Sequence, residues 1–100
     1  MFFMKNAAQQ ALDINIGRVL EMLLSGVLTH DQAHDAMTKF FDGAAHKDPT
    51  DLHAYLNRVI HQVDKGHMKT DAARAHLVRA ALASEQNDPH LSEILHEMAG

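Results

Sequence analysis

Histidine is the residue whose number and spacing most suggest chemistry in this sequence. Nine of the 100 residues are histidines, as many as the lysines and arginines together. His30 and His34 lie four residues apart, a spacing that places both rings on one face of a helix and is similar to the zinc-protease pattern His-Glu-x-x-His. Asp31 stands where that pattern has glutamate, and no motif supplies a third ligand. We therefore expect a solvent-facing helical turn at this segment and predict no metal site.

Other spacings that could support catalysis are incomplete. Glu93 and His96 have the Glu-x-x-His spacing of di-iron helical bundles, but those sites need two such motifs and two further glutamates on facing helices. The chain has no cysteine, and none of its serines, at 25, 84 and 92, lies in a Gly-x-Ser-x-Gly motif. We predict that the chain is not an enzyme and that it has no catalytic residue and no cofactor.

Helices must position the remaining candidate residues, because apolar residues recur at intervals of three and four along most of the chain. No stretch alternates with period two for long enough to form a strand, so the predicted fold class is all-α. We expect Gly26 and Gly66 each to end a helix, and the pairs Asp48-Pro49 and Asp88-Pro89 each to begin one. Thr29 and Gln32 predict a capping box at the start of the second helix. The predicted apolar stripes are Leu12, Ile16, Val19, Leu20, Leu23 and Val27; Ala33, Ala36, Met37, Phe40 and Phe41; Leu52, Tyr55, Leu56, Val59, Ile60 and Val63; Ala73, Leu77, Ala80 and Ala81; and Leu91, Ile94, Leu95 and Met98.

These start and stop residues recur forty positions apart, which predicts two similar helical hairpins. The predicted repeat units are 9–48 and 49–88, followed by a closing helix over 89–99. Convergence on the same turn residues would give a similar pattern without duplication. We expect one domain over residues 1–100, a compact five-helix bundle made of the two hairpins and a short C-terminal helix.

Charge and hydropathy favour a protein partner over a membrane or nucleic acid. The sequence has 13 acidic and nine basic residues, for a net charge of −4. Binding to nucleic acid relies instead on an excess of lysine and arginine. No segment is long and apolar enough to span a membrane, and the apolar start breaks at Lys5-Asn6, so no signal peptide is predicted. Phe2 and Phe3 are expected to pack on the core of the chain or to contact a partner or a second copy in a homodimer.

The predicted partner-binding residues lie around the turn between the third and fourth helices and in the acidic C-terminal part of the chain. They are Arg58, Lys65, Lys69, Arg74, Arg79, Glu93 and Glu97. The same basic residues permit an alternative, a small dimeric transcription regulator or adaptor resembling a helix-turn-helix protein. The helix that would read DNA is rich in alanine and lacks polar residues in its first turn that read base edges.

In its size, its helical pattern and its lack of site motifs, the whole chain resembles the small all-helical anti-CRISPR proteins of phages and mobile elements, and among them the type I inhibitors. This resemblance implies a non-enzymatic inhibitor that binds a Cas subunit of the type I surveillance complex. Such binding would block target DNA or nuclease recruitment in the cytoplasm of the bacterial host. Anti-CRISPR proteins share no common motif, so no residue role is carried over from them.

Overall fold

The computed structural model describes residues 7–41 and 49–97, and these residues form five α-helices and no β-strand. This result confirms the all-α prediction. Phe2, Phe3, Met98 and the predicted capping residue Asp48 lie outside the described residues. The helices are α1 (Ala7–Leu24), α2 (His30–Thr38), α3 (Pro49–Asp64), α4 (Thr70–Glu85) and α5 (Leu91–His96).

The most extensive helix contacts join a helix of one predicted hairpin to a helix of the other. The most extensive contact runs between α1 and α4, the next between α2 and α3, and α5 packs on both α3 and α4. One core results, and every helix contributes its apolar stripe to it, as the periodicity predicted. Val27 is the exception, because it lies beyond the end of α1 and is 66% exposed.

The α1–α2 and α3–α4 turns have the same backbone conformation. Gly26 and Gly66 have φ of +83° and +76°, values that side-chain-bearing residues rarely adopt. Each glycine N–H donates to the carbonyl three residues earlier, and each residue two positions after the glycine donates to the carbonyl six residues before it. Both glycines therefore end their helices as predicted.

The predicted capping box is confirmed at the start of α2. The Gln32 N–H donates to the Thr29 hydroxyl at 3.2 Å, and the Thr29 N–H donates to Gln32 Oε1 at 3.0 Å. The apolar stripe through Phe41 predicts a second helix that continues to Asp42-Gly43, but this prediction is wrong because α2 ends at Thr38. Phe40 and Phe41 instead follow in a tighter turn, in which their N–H groups donate to carbonyls three residues earlier.

The start of the last helix also differs from the prediction. Asp88-Pro89 does not begin α5, which starts at Leu91 after the N-cap residue His90. Asp88 Oδ1 instead accepts the His90 N–H at 2.8 Å and forms a turn. This turn follows Asn87, a residue with φ of +54° at the end of α4. By contrast, α3 begins at Pro49, as predicted from Asp48-Pro49.

The helix ends recur at the predicted offset, since α1 and α3 end, and α2 and α4 begin, forty residues apart. Their buried residues correspond as well: Ile16 with Leu56, Val19 with Val59, Leu20 with Ile60, Leu23 with Val63, Ala33 with Ala73 and Met37 with Leu77. That the hairpins arose by duplication stays a prediction. Among the described residues, none of the helices combines the length and hydrophobicity needed to cross a membrane.

Candidate functional site

An open cleft of about 620 Å³ lies between α1, α4 and α5. Its floor comes from α4, mainly Ala75, Val78 and Leu82, and Ile94 of α5 adds a further apolar side chain. Val78 and Ile94 are almost fully buried, so they belong to both the core and the cleft. The remaining lining residues are Gln9, Asp13, Arg79, Ala83, Gln86, Asp88, His90, Glu93 and Glu97.

The rim of the cleft is acidic. Four carboxylates line it, Asp13 from α1, Asp88 from the α4–α5 turn, and Glu93 and Glu97 from the C-terminal part of the chain, against one arginine, Arg79. With His90 neutral, this local charge of about −3 accounts for most of the net charge of the chain, which is −4. A cationic group would meet favourable electrostatic potential here.

One ion pair and one histidine–carboxylate contact lie on the α5 side of the rim. Arg79 Nη1 donates to Glu97 Oε2 at 2.9 Å, and His90 Nδ1 lies 3.4 Å from Glu93 Oε2. The Glu93 side chain remains 78% exposed despite its partner. An exposed pair of this kind contributes little to stability. The Glu93 carboxylate is therefore accessible to a ligand.

A partly buried polar network lies next to the cleft. The Tyr55 hydroxyl on α3 is 2.7 Å from Nδ1 of His76 on α4, and Nε2 of His76 is 3.4 Å from Glu97 Oε2. The hydroxyl donates to Nδ1 when the neutral imidazole carries its proton on Nε2, the nitrogen that faces the carboxylate. Glu97 therefore belongs both to the cleft and to a chain of contacts that ends in the core. His76 thus lies at the edge of the core, and both of its ring nitrogens have a polar atom nearby.

Tyr55 is fully buried, and burial raises the pKa of its phenol well above the ordinary value of about 10. The negative charge of Glu97 raises this pKa further, while the positive charges of Arg79 and Arg58 lower it. The phenol therefore stays protonated in the folded protein and remains a hydrogen-bond donor to His76.

Four further histidines, His30, His34, His53 and His96, have contacts that their spacing did not predict. His30 and His34 do not share a partner: His30 Nε2 is 2.8 Å from Asp64 Oδ2 on α3, and the His34 ring stacks on His53 with 3.1 Å between Nε2 and Nδ1. His96 lies 3.4 Å from Asp51. Within residues 7–41 and 49–97, histidine and acidic side chains form no group of three or more that could hold a metal ion.

Three of the predicted partner-binding residues, Arg79, Glu93 and Glu97, lie together in the cleft. Lys65 and Lys69 are exposed in the α3–α4 turn. These two lysines, Arg58 and Arg74 do not line the cleft.

Arg58 and Arg74 make contacts within the chain. Arg58 Nη2 donates to the backbone oxygen of Leu95 at 2.8 Å, which fastens α5 to α3. Arg74 is half-buried and lies 3.5 Å from Asp71 on its own helix. Its aliphatic stem packs beside Gly17, where an added Cβ would lie 3.3 Å from Arg74 Cδ. These contacts indicate that both arginines contribute to the packing of the helices.

The sequence prediction missed the apolar floor and the α1 wall of the cleft. Val78 and Leu82 were not assigned to the stripe of α4, and Asp13 was not considered with the acidic residues near the C-terminal end. Asp13 lies three residues before the buried Ile16, so helical spacing places it beside the core-facing stripe of α1. That signal was present, but it does not show which helix lies opposite.

No protein-family model matches the chain, and neither a search of curated proteins nor a search of solved structures found a match.

Proposed function

We propose that this chain is a non-enzymatic inhibitor that acts by binding a basic surface of a protein partner. The observation that carries the proposal is the cleft between α1, α4 and α5, which combines an apolar floor with four carboxylates at its rim. Complementary charge brings such a surface to its partner quickly and orients it, while burial of apolar side chains holds the complex together.

The burial of α4 supports this proposal over the alternative of a DNA-reading helix. A recognition helix must present one whole face to the major groove, but α4 is buried at Ala73, Leu77, Val78, Ala80, Ala81, Ala83 and Ser84. Its exposed positions carry Asp71, Ala72, Ala75, Arg79 and Glu85. Arg79 and the half-exposed Arg74, set against two carboxylates, are a poor set for contact with phosphates and base edges.

The resemblance to anti-CRISPR proteins gives the proposal its most specific form. The partner would be a Cas subunit of a type I surveillance complex, and the carboxylates would occupy cationic side chains that otherwise hold target DNA. The direct experiment is a gel-shift of target DNA by a purified type I surveillance complex, with and without this chain. We expect the chain in excess to reduce the shifted DNA. An unchanged shift, with nuclease recruitment also unchanged, would contradict the Cas assignment.

Two variants connect this inhibition to the cleft. Glu93→Ala combined with Glu97→Ala removes two predicted contacts and half of the rim carboxylates from the cleft, and circular dichroism checks that helicity is retained. We expect this double variant to lose binding to the partner. As the matched control, Glu21→Ala removes an exposed carboxylate of α1 outside the cleft and should inhibit as well as the unmodified chain. Equal inhibition by both variants would mean that another surface makes the contact.

A gel-shift of the chain alone with DNA tests the transcription-regulator alternative. We expect no specific complex at low salt. A specific complex whose affinity falls steeply as salt increases would favour the regulator over the inhibitor, because phosphate contacts release counterions.

A further inference from the structure

The shape of the cleft indicates what kind of protein segment it can hold. Its floor runs along α4 from Ala75 to Gln86, with one wall from α1 and the other from α5. A groove between two helices above a third accepts an amphipathic helix, which inserts its apolar face. We propose that the cleft binds one amphipathic helix of a partner protein, with basic residues on both sides of its apolar stripe. This inference rests on the proposed binding function and specifies its partner.

The length of the groove suits a short helix. Residues 75 to 86 cover about 16 Å of the α4 axis, at about 1.5 Å per residue. A partner helix of about three turns would span that distance and would present apolar residues at i, i+3 or i+4, and i+7.

The volume and lining of the groove define the anchors. A volume of about 620 Å³ accommodates a few large aliphatic or aromatic side chains, and it falls in the range of well-formed ligand sites. Ala75 and the half-buried Leu82 supply most of the exposed apolar surface that these anchors would contact, and the almost fully buried Val78 and Ile94 lie beneath it. Ala75 is exposed and small, which leaves space at the open end of the floor for one of them.

The charges favour basic flanks on the partner helix. Asp13 stands on one wall and Glu93 on the other, so lysine or arginine residues on either side of an apolar stripe would each meet a carboxylate. An acidic helix of the same pattern would meet like charge on both walls, which disfavours binding.

Labelled synthetic peptides test this proposal by fluorescence anisotropy at about 0.15 M salt, where charges more than about 8 Å apart are largely screened. Three peptides are compared: an amphipathic leucine–lysine helix, a peptide of the same composition in scrambled order, and a leucine–glutamate helix of the original pattern. We expect the leucine–lysine helix to bind at least about tenfold more tightly than the other two peptides, since it alone combines positive charge with an ordered apolar stripe.

Matched variants then locate the binding site. Ala75→Trp fills the floor of the groove and should abolish binding, whereas Ala72→Trp changes an exposed alanine of the same helix outside the groove and should not affect it. Glu93→Lys should weaken binding about three- to tenfold, and Glu21→Lys should leave it within about twofold because Glu21 lies outside the groove.

Several outcomes would overturn the proposal. Equal binding of the ordered and scrambled peptides would show attraction by charge alone, and equal effects of both tryptophan variants would place the site elsewhere. A dimer that Ala75→Trp disrupts would assign the cleft to a second copy of the chain. Peptide binding that appears only after residues 1–6 are removed would assign it to that segment of the chain itself. If the chain inhibits the surveillance complex but binds none of the peptides, this inference fails and the proposed function stands.

Discussion

Replacing Tyr55 with phenylalanine tests the buried network beside the cleft. The substitution keeps the ring and removes the hydroxyl, which is 2.7 Å from His76 Nδ1. A buried hydrogen bond of this kind contributes about 0.5–1.5 kcal/mol, and an acceptor left without a donor adds a desolvation cost. The His76 side chain is 20% exposed, so water can reach part of the imidazole and reduce that cost. We expect Tyr55→Phe to lower the free energy of unfolding by about 1–2 kcal/mol at about pH 8.

This difference should disappear in alkaline solution. Because the pKa of Tyr55 is raised in the folded state, the unfolded chain releases the phenolic proton at about pH 10 while the folded chain still holds it. The stabilising contribution of the protonated phenol is therefore complete below about pH 10 and is lost as pH rises toward the folded pKa. The loss amounts to about 1.4 kcal/mol per pH unit. Phenylalanine has no such proton, so the two proteins should become about equally stable near pH 11.

The assay is urea unfolding followed by circular dichroism, for both proteins, at intervals between about pH 8 and pH 11. Lysines titrate in the same range, but their effect is common to both proteins and cancels in the difference. Tyr55 is the only tyrosine and the chain has no tryptophan, so tyrosinate absorbance reports this one group and should appear only with unfolding. A constant difference in stability across this range, or tyrosinate formed in the folded protein near pH 10, would refute the reasoning.

Three further substitutions test local features of the fold, each by urea or thermal unfolding. Thr29→Ala should cost about 1 kcal/mol, since it removes the hydroxyl that accepts the Gln32 N–H; an unchanged midpoint would mean that the capping box contributes nothing. Gly17→Ala should stabilise the protein by about 0.5–1 kcal/mol, because alanine favours the helix and the half-exposed Arg74 side chain can move by a few tenths of an ångström; destabilisation would show that α1 and α4 need this close approach. Leu77→Ala should cost about 2.7–5 kcal/mol, because the side chain is fully buried; a cost below about 1 kcal/mol would contradict that burial.

Helix ends were predictable wherever their cause is local. Gly26 and Gly66 adopt positive φ, and the Thr29 capping box closes between residues three positions apart. Such interactions depend on a few neighbouring residues, which the sequence displays directly. The helix ends at Gly26 and Gly66 could therefore both be predicted from local residues.

The errors at Phe41 and Val27 have one cause. An apolar residue at helical spacing is predicted to be both buried and helical, although a residue can have one of these properties without the other. Phe41 is fully buried, as its place in the predicted stripe of α2 requires, yet it lies beyond the end of that helix. Val27 continues the stripe of α1 but is exposed after the turn. Asp88-Pro89 failed for a related reason, because the same dipeptide suits both a helix start and a turn.

The candidate site was predictable only in its charge. The acidic character of Glu93 and Glu97 was visible in the sequence, but the floor of the cleft depends on which helix packs against which. Asp13 and Glu97 line one cleft although they are far apart in the chain. Spacing along a single helix carries no information about such a pair, so α1 could not be identified as one wall of the site.

The polar network distinguishes the second pair of helices from the first. At the forty-residue offset, Tyr55 and His76 correspond to Asn15 and Ala36, so the first hairpin lacks both members of the hydrogen bond. Glu97, the third member, lies just after α5, which packs on α3 and α4. A cationic side chain that binds Glu97 would compete with His76 for its carboxylate and so alter the surroundings of the Tyr55 hydroxyl. The fluorescence of Tyr55, measured with a tyrosine-free peptide, should therefore change when the cleft is occupied, and binding without such a change would separate the network from the site.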